Sequence, residues 1–253
     1  ALRCLTGELK KGNAVVHDGK ALLHLLARFG LETPEAFGWD TMLAAYLLNP
    51  QEKSYRLGAL YPDEPEDAAA VCSLAAWQKA RVEEDGMTRL MREIEMPLSF
   101  VLFRMERVGF AVNADFLRTL EARYTAEIEE RREQVIAAAG GRAFNLNSTQ
   151  QLGEVLFEQL NLPHGKKTSK GYSTSAEVLE GLRFEAPEII EPLLRYRQLT
   201  KLNSTYAEGL LRLVDGSGRG HSTFDQTATA TGRISSSEPN LQNIPVRTEE
   251  GKE

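Results

Sequence analysis

Apolar positions along this chain change their period twice. The run Asn13-Ala14-Val15-Val16-His17 predicts a short strand. After Gly19, Leu22, Leu25, Leu26 and Phe29 recur at helical spacing until Gly30 stops them. Residues 41–48 predict a second helix, closed by Asn49-Pro50. Beyond the turn-rich Tyr61-Pro62-Asp63-Glu64-Pro65, a third helix is expected from near Glu66 through an Ala-rich stretch to Trp77, running on or kinking near Gly86. Residues 87–108 form an amphipathic segment in which Pro97 marks a kink or a helix start. Asn113-Ala114-Asp115 opens another helix, with Phe116, Leu120, Tyr124, Ile128, Val135 and Ile136 as its apolar stripe and Gly140-Gly141 as its end. Cap residues at Asn147-Ser148-Thr149 begin a helix that ends near Pro163. Residues 164–174 read as a linker, and helices follow over 175–182 and 187–214. After a tight turn at 215–220 the period shortens to two. Residues 221–227 and 229–231 are Thr-rich and alternate as strands do, and 233–247 read as irregular, with a loop at 235–240. The pattern predicts a mixed, mostly α fold in three regions: 1–86 mixed α/β, 87–215 helical, and 216–253 short and β-rich.

Composition narrows the classes. At 253 residues the chain can bury a core of one large domain or two modest ones. The longest apolar stretch, residues 68–77, is interrupted by Ser73, so no membrane span is expected. The first residues carry charge early and read as no signal peptide. Cys4 and Cys72 form no framework, and a reduced, cytoplasmic chain is the expectation. With 30 Lys and Arg against 36 Asp and Glu, a globally basic nucleic-acid binder is excluded, but a local basic face is not.

Local chemistry concentrates in three places. The string Thr229-Ala230-Thr231-Gly232-Arg233-Ile234-Ser235-Ser236-Ser237-Glu238-Pro239-Asn240-Leu241-Gln242-Asn243-Ile244-Pro245-Val246-Arg247 sets Arg233, Arg247, Asn240, Gln242 and Asn243 among hydroxyls. Those donors suit phosphate oxygens and base edges, while a polar loop after a hairpin is the plain alternative. On the helix before it, Arg197 and Lys201 lie four apart and Ser204 three further, so they share a face. They could follow a phosphate backbone or simply be solvated. The linker holds Lys166, Lys167 and Lys170 among Gly, Ser and Thr, with no carboxylate.

Read together, these stretches resemble the bacterial DNA polymerase I family (family A), most closely in the 229–247 string. The segments 196–206, 164–174, 144–152 and Trp39-Asp40-Thr41-Met42-Leu43-Ala44-Ala45-Tyr46-Leu47-Leu48-Asn49-Pro50 are similar to the same family. The resemblance implies that 1–86 is the C-terminal part of a 3′→5′ exonuclease-like domain, 87–215 a helical thumb and 216–253 the first strands and loop of a truncated palm. It gives Arg233 a primer-terminal minor-groove role, which suits a donor because every Watson–Crick pair offers an acceptor there. It gives Gln242 and Asn243 template- or primer-side contacts and Arg247 a primer-backbone contact. Arg197, Lys201, Ser204 and the Lys166, Lys167, Lys170 loop are expected on DNA phosphates, and Asn145, Asn147 and Ser148 either on phosphates or, more economically, as caps.

A nuclease site of that kind needs clustered carboxylates around two metal ions. The alignment puts Leu22 and Ala69 where two of them belong, so the nuclease is expected to be inactive, with Asp40 a capping residue. The polymerase's metal-binding aspartates and nucleotide-binding helix belong beyond this stretch. The expectation is therefore a fragment of a DNA-directed DNA polymerase that binds primer–template duplex but has no catalytic carboxylates. Magnesium and deoxynucleotides are expected only for the full-length enzyme, and no membrane partner is expected. A helical protein-interaction module or a working 3′→5′ exonuclease are the alternatives; Leu22 and Ala69 oppose the second.

Overall fold

Helix starts follow side-chain chemistry. Asp18, Asp40, Asp67, Asn113, Ser148 and Ser175 each accept a backbone N–H bond in the first turn of the helix they precede. The computed structural model describes residues 7–62, 66–165 and 171–245. Its main helices are α1 (Gly19–Arg28), α2 (Thr41–Leu48), α3 (Ala68–Glu84), α4 (Met96–Val108), α5 (Ala114–Ala138), α6 (Thr149–Gly153), α7 (Ala176–Gly181) and α8 (Pro187–Leu202). Strands are short: β1 (Val15–Val16) pairs in parallel with β2 (Trp39–Asp40), and β3 (Thr223–Asp225) pairs antiparallel with β4 (Ser235–Ser237). The fold is mixed and mostly helical, as the apolar pattern predicts.

Two compact units emerge, and they do not follow the region boundaries read from the sequence. The first joins the described residues up to Phe110 with Arg219–Ile244, and the second is Ala111–Gly218. The segment 87–108 belongs to the first unit because its apolar face is needed there. Met91, Met96, Phe100 and Phe103 pack in one core with Leu23, Leu26, Trp39 and Leu43. In the second unit, Val135, Leu152, Leu156, Leu179, Ile190 and Leu193 form one core cluster, and Leu120, Tyr124, Leu199 and Leu202 a second.

Several expectations shift locally. Helix α1 turns Leu23 and Leu26 inward with Leu22 half-buried, and it leaves Leu25 and Phe29 49% and 60% exposed. Phe116 also stands outside its stripe, exposed at the first turn of α5. The segment at Pro97 is not a plain helix. A π turn, Met91–Glu95, precedes α4, and Met96 N–H bonds to Met91 O across it. Pro97, which has no N–H to give, directly follows this π turn at the start of α4. Further π turns, Glu154–Gln159 and Asn203–Ala207, follow α6 and α8, so the single helix expected over 187–214 is interrupted. In the β-rich stretch, residues 229–231 are not a strand. The partner of β3 is β4, within the expected loop, because 229–232 turn the chain and Gly232 adopts φ +76°.

Candidate nucleic-acid interface

In the first unit, β3 and β4 align Thr223 with Ser237, Phe224 with Ser236 and Asp225 with Ser235. Between them the chain makes an excursion, 226–234, that carries Arg233. Its backbone is fixed at both ends. Gln226 Nε2 donates to the Glu95 carbonyl at 3.0 Å and to its carboxylate at 2.9 Å. At the far end Thr229 Oγ1 donates to the Arg233 carbonyl at 2.8 Å. The Tyr46 hydroxyl on α2 donates to the Thr229 carbonyl at 2.7 Å and accepts from Gly232 N–H at 3.1 Å. Arg233 itself is exposed, and among the described residues no carboxylate forms an ion pair with its guanidinium.

The chain after β4 folds against the same hairpin. Buried Ser222 donates its hydroxyl to the Ser237 and Pro239 carbonyls, at 3.1 and 2.7 Å. Leu241 N–H donates to Ser236 Oγ at 2.9 Å, which starts the short 3-10 turn Leu241–Asn243. Gln242 reaches Ser235 Oγ with its amide nitrogen at 3.4 Å, and both Gln242 and Asn243 are exposed. Arg233, Gln242 and Asn243 are thus brought onto one hydrogen-bonded β-hairpin and its extension. Arg247 lies outside the described residues.

Beneath the hairpin sits a buried ionic junction that sequence reasoning missed. Glu106 on α4, 7% exposed, receives the Lys20 ammonium and the His24 imidazole of α1 on its two carboxylate oxygens. The oxygen that meets Lys20 also accepts Phe224 N–H of β3 at 2.7 Å, and Lys20 donates to the Phe224 carbonyl at 2.6 Å. One signal was present in the sequence. Glu106 follows Ser99, Phe100 and Phe103 on the apolar face of α4, and a carboxylate there must find buried partners.

The second unit treats its candidates differently. The guanidinium of half-buried Arg197 donates to the Thr174 carbonyl and, at 3.2 Å, to the Thr174 hydroxyl. Burial lowers its pKa from the usual guanidinium value. Ser204 turns its hydroxyl to the Thr200 carbonyl at 2.8 Å, and Lys201 is exposed. The row expected to face phosphate therefore splits into one brace, one exposed cation and one internally bonded hydroxyl. Lys166, Lys167 and Lys170 lie outside the described residues. Their flanks are anchored: the His164 and Tyr172 rings pack on Phe157 and on each other, with centroids 4.8 to 5.7 Å apart. Ser148 accepts from Gln151 N–H at 3.3 Å and caps α6, Asn145 accepts from Asn147 N–H at 2.9 Å in a turn before it, and the Asn147 side chain is exposed.

Leu22 is half-buried against the first core, and Ala69 is exposed in the first turn of α3, its N–H held by Asp67. Among the described residues no three His, Cys, Asp or Glu side chains come together to hold a metal ion. The side chains of Leu22 and Ala69 offer no oxygen to a metal ion. No described helix is long and apolar enough to cross a membrane.

Comparison with known proteins gives this geometry a context. The sequence profile of DNA polymerase family A matches residues 114–253. DNA polymerase I of Bacillus subtilis is 39% identical over 268 residues, covering 94% of this chain and 30% of the relative. The thermostable DNA polymerase I of Thermus aquaticus is 45% identical over 255 residues, with 97% and 30% covered. Among solved structures, the POL domain of Pol1 from M. smegmatis in complex with DNA primer-template and dNTP superposes with a TM-score of 0.88 at 35% identity. That match covers 99% of this chain and 46% of the other. The chain spans about a third of the length of these curated relatives.

Proposed function

This chain belongs to DNA polymerase family A, and from that premise we propose that it is the primer–template-holding part of a DNA-directed DNA polymerase. The observation that carries the reading is the Arg233 excursion: an exposed arginine on a backbone fixed on both sides, in a sequence that resembles the family's duplex-lining segment. The solved relative that matches nearly the whole chain holds DNA primer-template and dNTP, which supports duplex as the partner.

In this reading the residues divide the labour. Arg233 donates to the minor-groove acceptor of the primer-terminal pair, a position that reports pair shape without reading sequence. Gln242 and Asn243 contact the strands beside it, with Arg247 on the primer backbone. Lys201, the Lys166, Lys167, Lys170 loop and the exposed Asn147 meet phosphates. Arg197 braces that surface through Thr174, and Ser204 keeps its hydroxyl on the Thr200 carbonyl. Residues 1–86 are read as the exonuclease-like part, inactive because Leu22 and Ala69 cannot ligate a metal. The helical second unit is read as thumb, and the β3–β4 hairpin as the start of the palm. Deoxynucleotides and magnesium belong to the whole polymerase.

Titration of the 253-residue chain with a fluorescent primer–template duplex across a salt series tests the proposal. Binding should weaken steeply with salt, and Lys201→Ala should lower the slope of log K against log salt by about one, as loss of one phosphate contact does. Arg233→Ala should instead narrow the gap between matched and mismatched primer ends, by about 1–3 kcal/mol for one base-edge contact. A salt-independent or absent interaction would favour a protein-interaction role. Magnesium-dependent release of nucleotides by this chain would restore the exonuclease reading.

A further inference from the structure

The Thr229 carbonyl and the Gly232 N–H are the two groups that close a four-residue turn. Here both are bonded by one phenol. Tyr46 donates to the first at 2.7 Å and accepts from the second at 3.1 Å, from 183 residues away in the sequence. The Arg233 carbonyl is taken by Thr229 Oγ1. The backbone on each side of Arg233 is thereby tied, one side to Tyr46 and the other to Thr229.

Tyr46 is well built for holding a position. Its ring is buried, with 3% exposure, and meets the Tyr55 ring edge-on at a centroid distance of 5.7 Å. Tyr55 in turn donates its hydroxyl to the Asn49 carbonyl, just past the end of α2. The start of α2 is fixed by Asp40, which accepts from Met42 and Leu43 N–H. With both ends of its helix fastened, the hydroxyl has little freedom. Gly232, at φ +76°, supplies a conformation that L side chains rarely adopt, which lets the chain turn at this point.

We propose that Tyr46 is a positioning residue for primer-terminus recognition: its hydroxyl sets the Thr229–Gly232 turn from which Arg233 reaches the minor groove. The inference rests on the duplex-holding reading above. Tyr46 touches no DNA in this scheme and acts only through the turn.

The test compares two duplexes that differ in one atom, a primer-terminal deoxyguanosine and its 3-deaza analogue, which lacks the minor-groove acceptor. The wild-type chain should bind the analogue about tenfold more weakly, within the range of a single base-edge hydrogen bond. Arg233→Ala should abolish that penalty. Tyr46→Phe, which keeps the ring, should reduce it to about twofold while leaving affinity for the analogue duplex and the salt slope unchanged. The double variant should add nothing further. A merely structural tyrosine would lower both affinities together. If Arg233→Ala abolishes the penalty and Tyr46→Phe retains it in full, the Tyr46 assignment falls and the duplex reading stands. If the wild-type chain shows no penalty, the minor-groove reading falls and the inference with it. Hydrogen exchange supplies a check without any variant: a Gly232 N–H exchanging at the unprotected rate in the wild-type chain overturns the proposal.

Discussion

A single carboxylate caps two helices in the first unit. Asp40 Oδ2 accepts from Gly19 N–H at 2.7 Å, the first residue of α1, while Oδ1 accepts from Met42 and Leu43 N–H in α2. Burial raises its pKa from 3.8 to about 6, against the pull of those three donors, with Asp18 adding to the rise. The sign follows directly. The unfolded chain releases this proton near 3.8 and the folded chain near 6, so the contribution of Asp40 to stability is greatest below pH 4 and is lost as pH rises through 6. The loss amounts to ~3 kcal/mol. His17 works in the opposite sense. Burial lowers its pKa from 6.5, so its contribution is present above that value and is lost as pH falls through its depressed pKa. Comparison with Asp40→Asn separates the two, since His17 is common to both proteins. Both tryptophans, Trp39 and Trp77, lie in the first unit, so their fluorescence follows its urea unfolding. The difference in unfolding free energy between wild type and Asp40→Asn should shrink or reverse by ~2 kcal/mol between pH 4 and 7. A difference independent of pH would show that the three N–H donors balance burial, and one that grows with pH would show that they outweigh it.

At the scale of elements, α8 shows how one helix face divides into support and contact. Arg197 and Lys201 are neighbours four residues apart, yet one is spent on Thr174 and the other is exposed. Arg197→Ala should destabilise the second unit by about 1.5–3 kcal/mol, the range for hydrogen bonds from a charged donor. Lys201→Ala should stay within about 0.5 kcal/mol of wild type, as exposed substitutions do. Hydrogen exchange along α5 and α8 would read both, and an Arg197→Ala chain as protected as wild type would return that arginine to the candidates for phosphate contact. The sequence could not distinguish them because spacing places side chains on a face and does not say what lies opposite. The same limit applies to secondary structure. Helix starts were legible because caps are local chemistry, as at Asp67 and Asn113. The π turns were not, because one extra residue per turn leaves no residue type behind, and Pro97 alone hinted at one. The β3–β4 pairing was hidden because Ser235-Ser236-Ser237 is neither apolar nor β-branched. It is held by the Phe224–Ser236 register and by Ser222. At the candidate site, Arg233, Gln242 and Asn243 could be read from one contiguous string, whereas Tyr46 and Glu106 reach it from distant segments.

Those distant segments determine how the whole chain closes. The first unit is assembled from two stretches separated by Ala111–Gly218, and its stability depends on joining them. Glu106 is one place where they meet: it binds Lys20 and His24 of α1 and the Phe224 N–H of β3, while its own carbonyl accepts from His221 Nδ1 at 2.7 Å. A buried carboxylate with an ammonium partner is costly to break from one side, because the remaining charge is left in an apolar site. Glu106→Ala strands the Lys20 ammonium and the Phe224 N–H together, and should cost the first unit about 3–5 kcal/mol. Glu106→Gln keeps one acceptor for Phe224 N–H but leaves Lys20 without its counter-charge, so it should be milder. The spread of the damage distinguishes this junction from an ordinary ion pair. Because Glu106 joins residues 82 and 118 positions apart, amides of α1 and of β3 should lose protection together. Protection at Val135 and Ile190, in the core of the second unit, should hold. Urea unfolding by tryptophan fluorescence gives the magnitude, and hydrogen exchange gives the distribution. Loss confined to α1, with β3 still protected, would mean that the hairpin carrying Arg233 is held by its own bonds and by Tyr46, and that Glu106 serves only the N-terminal helices.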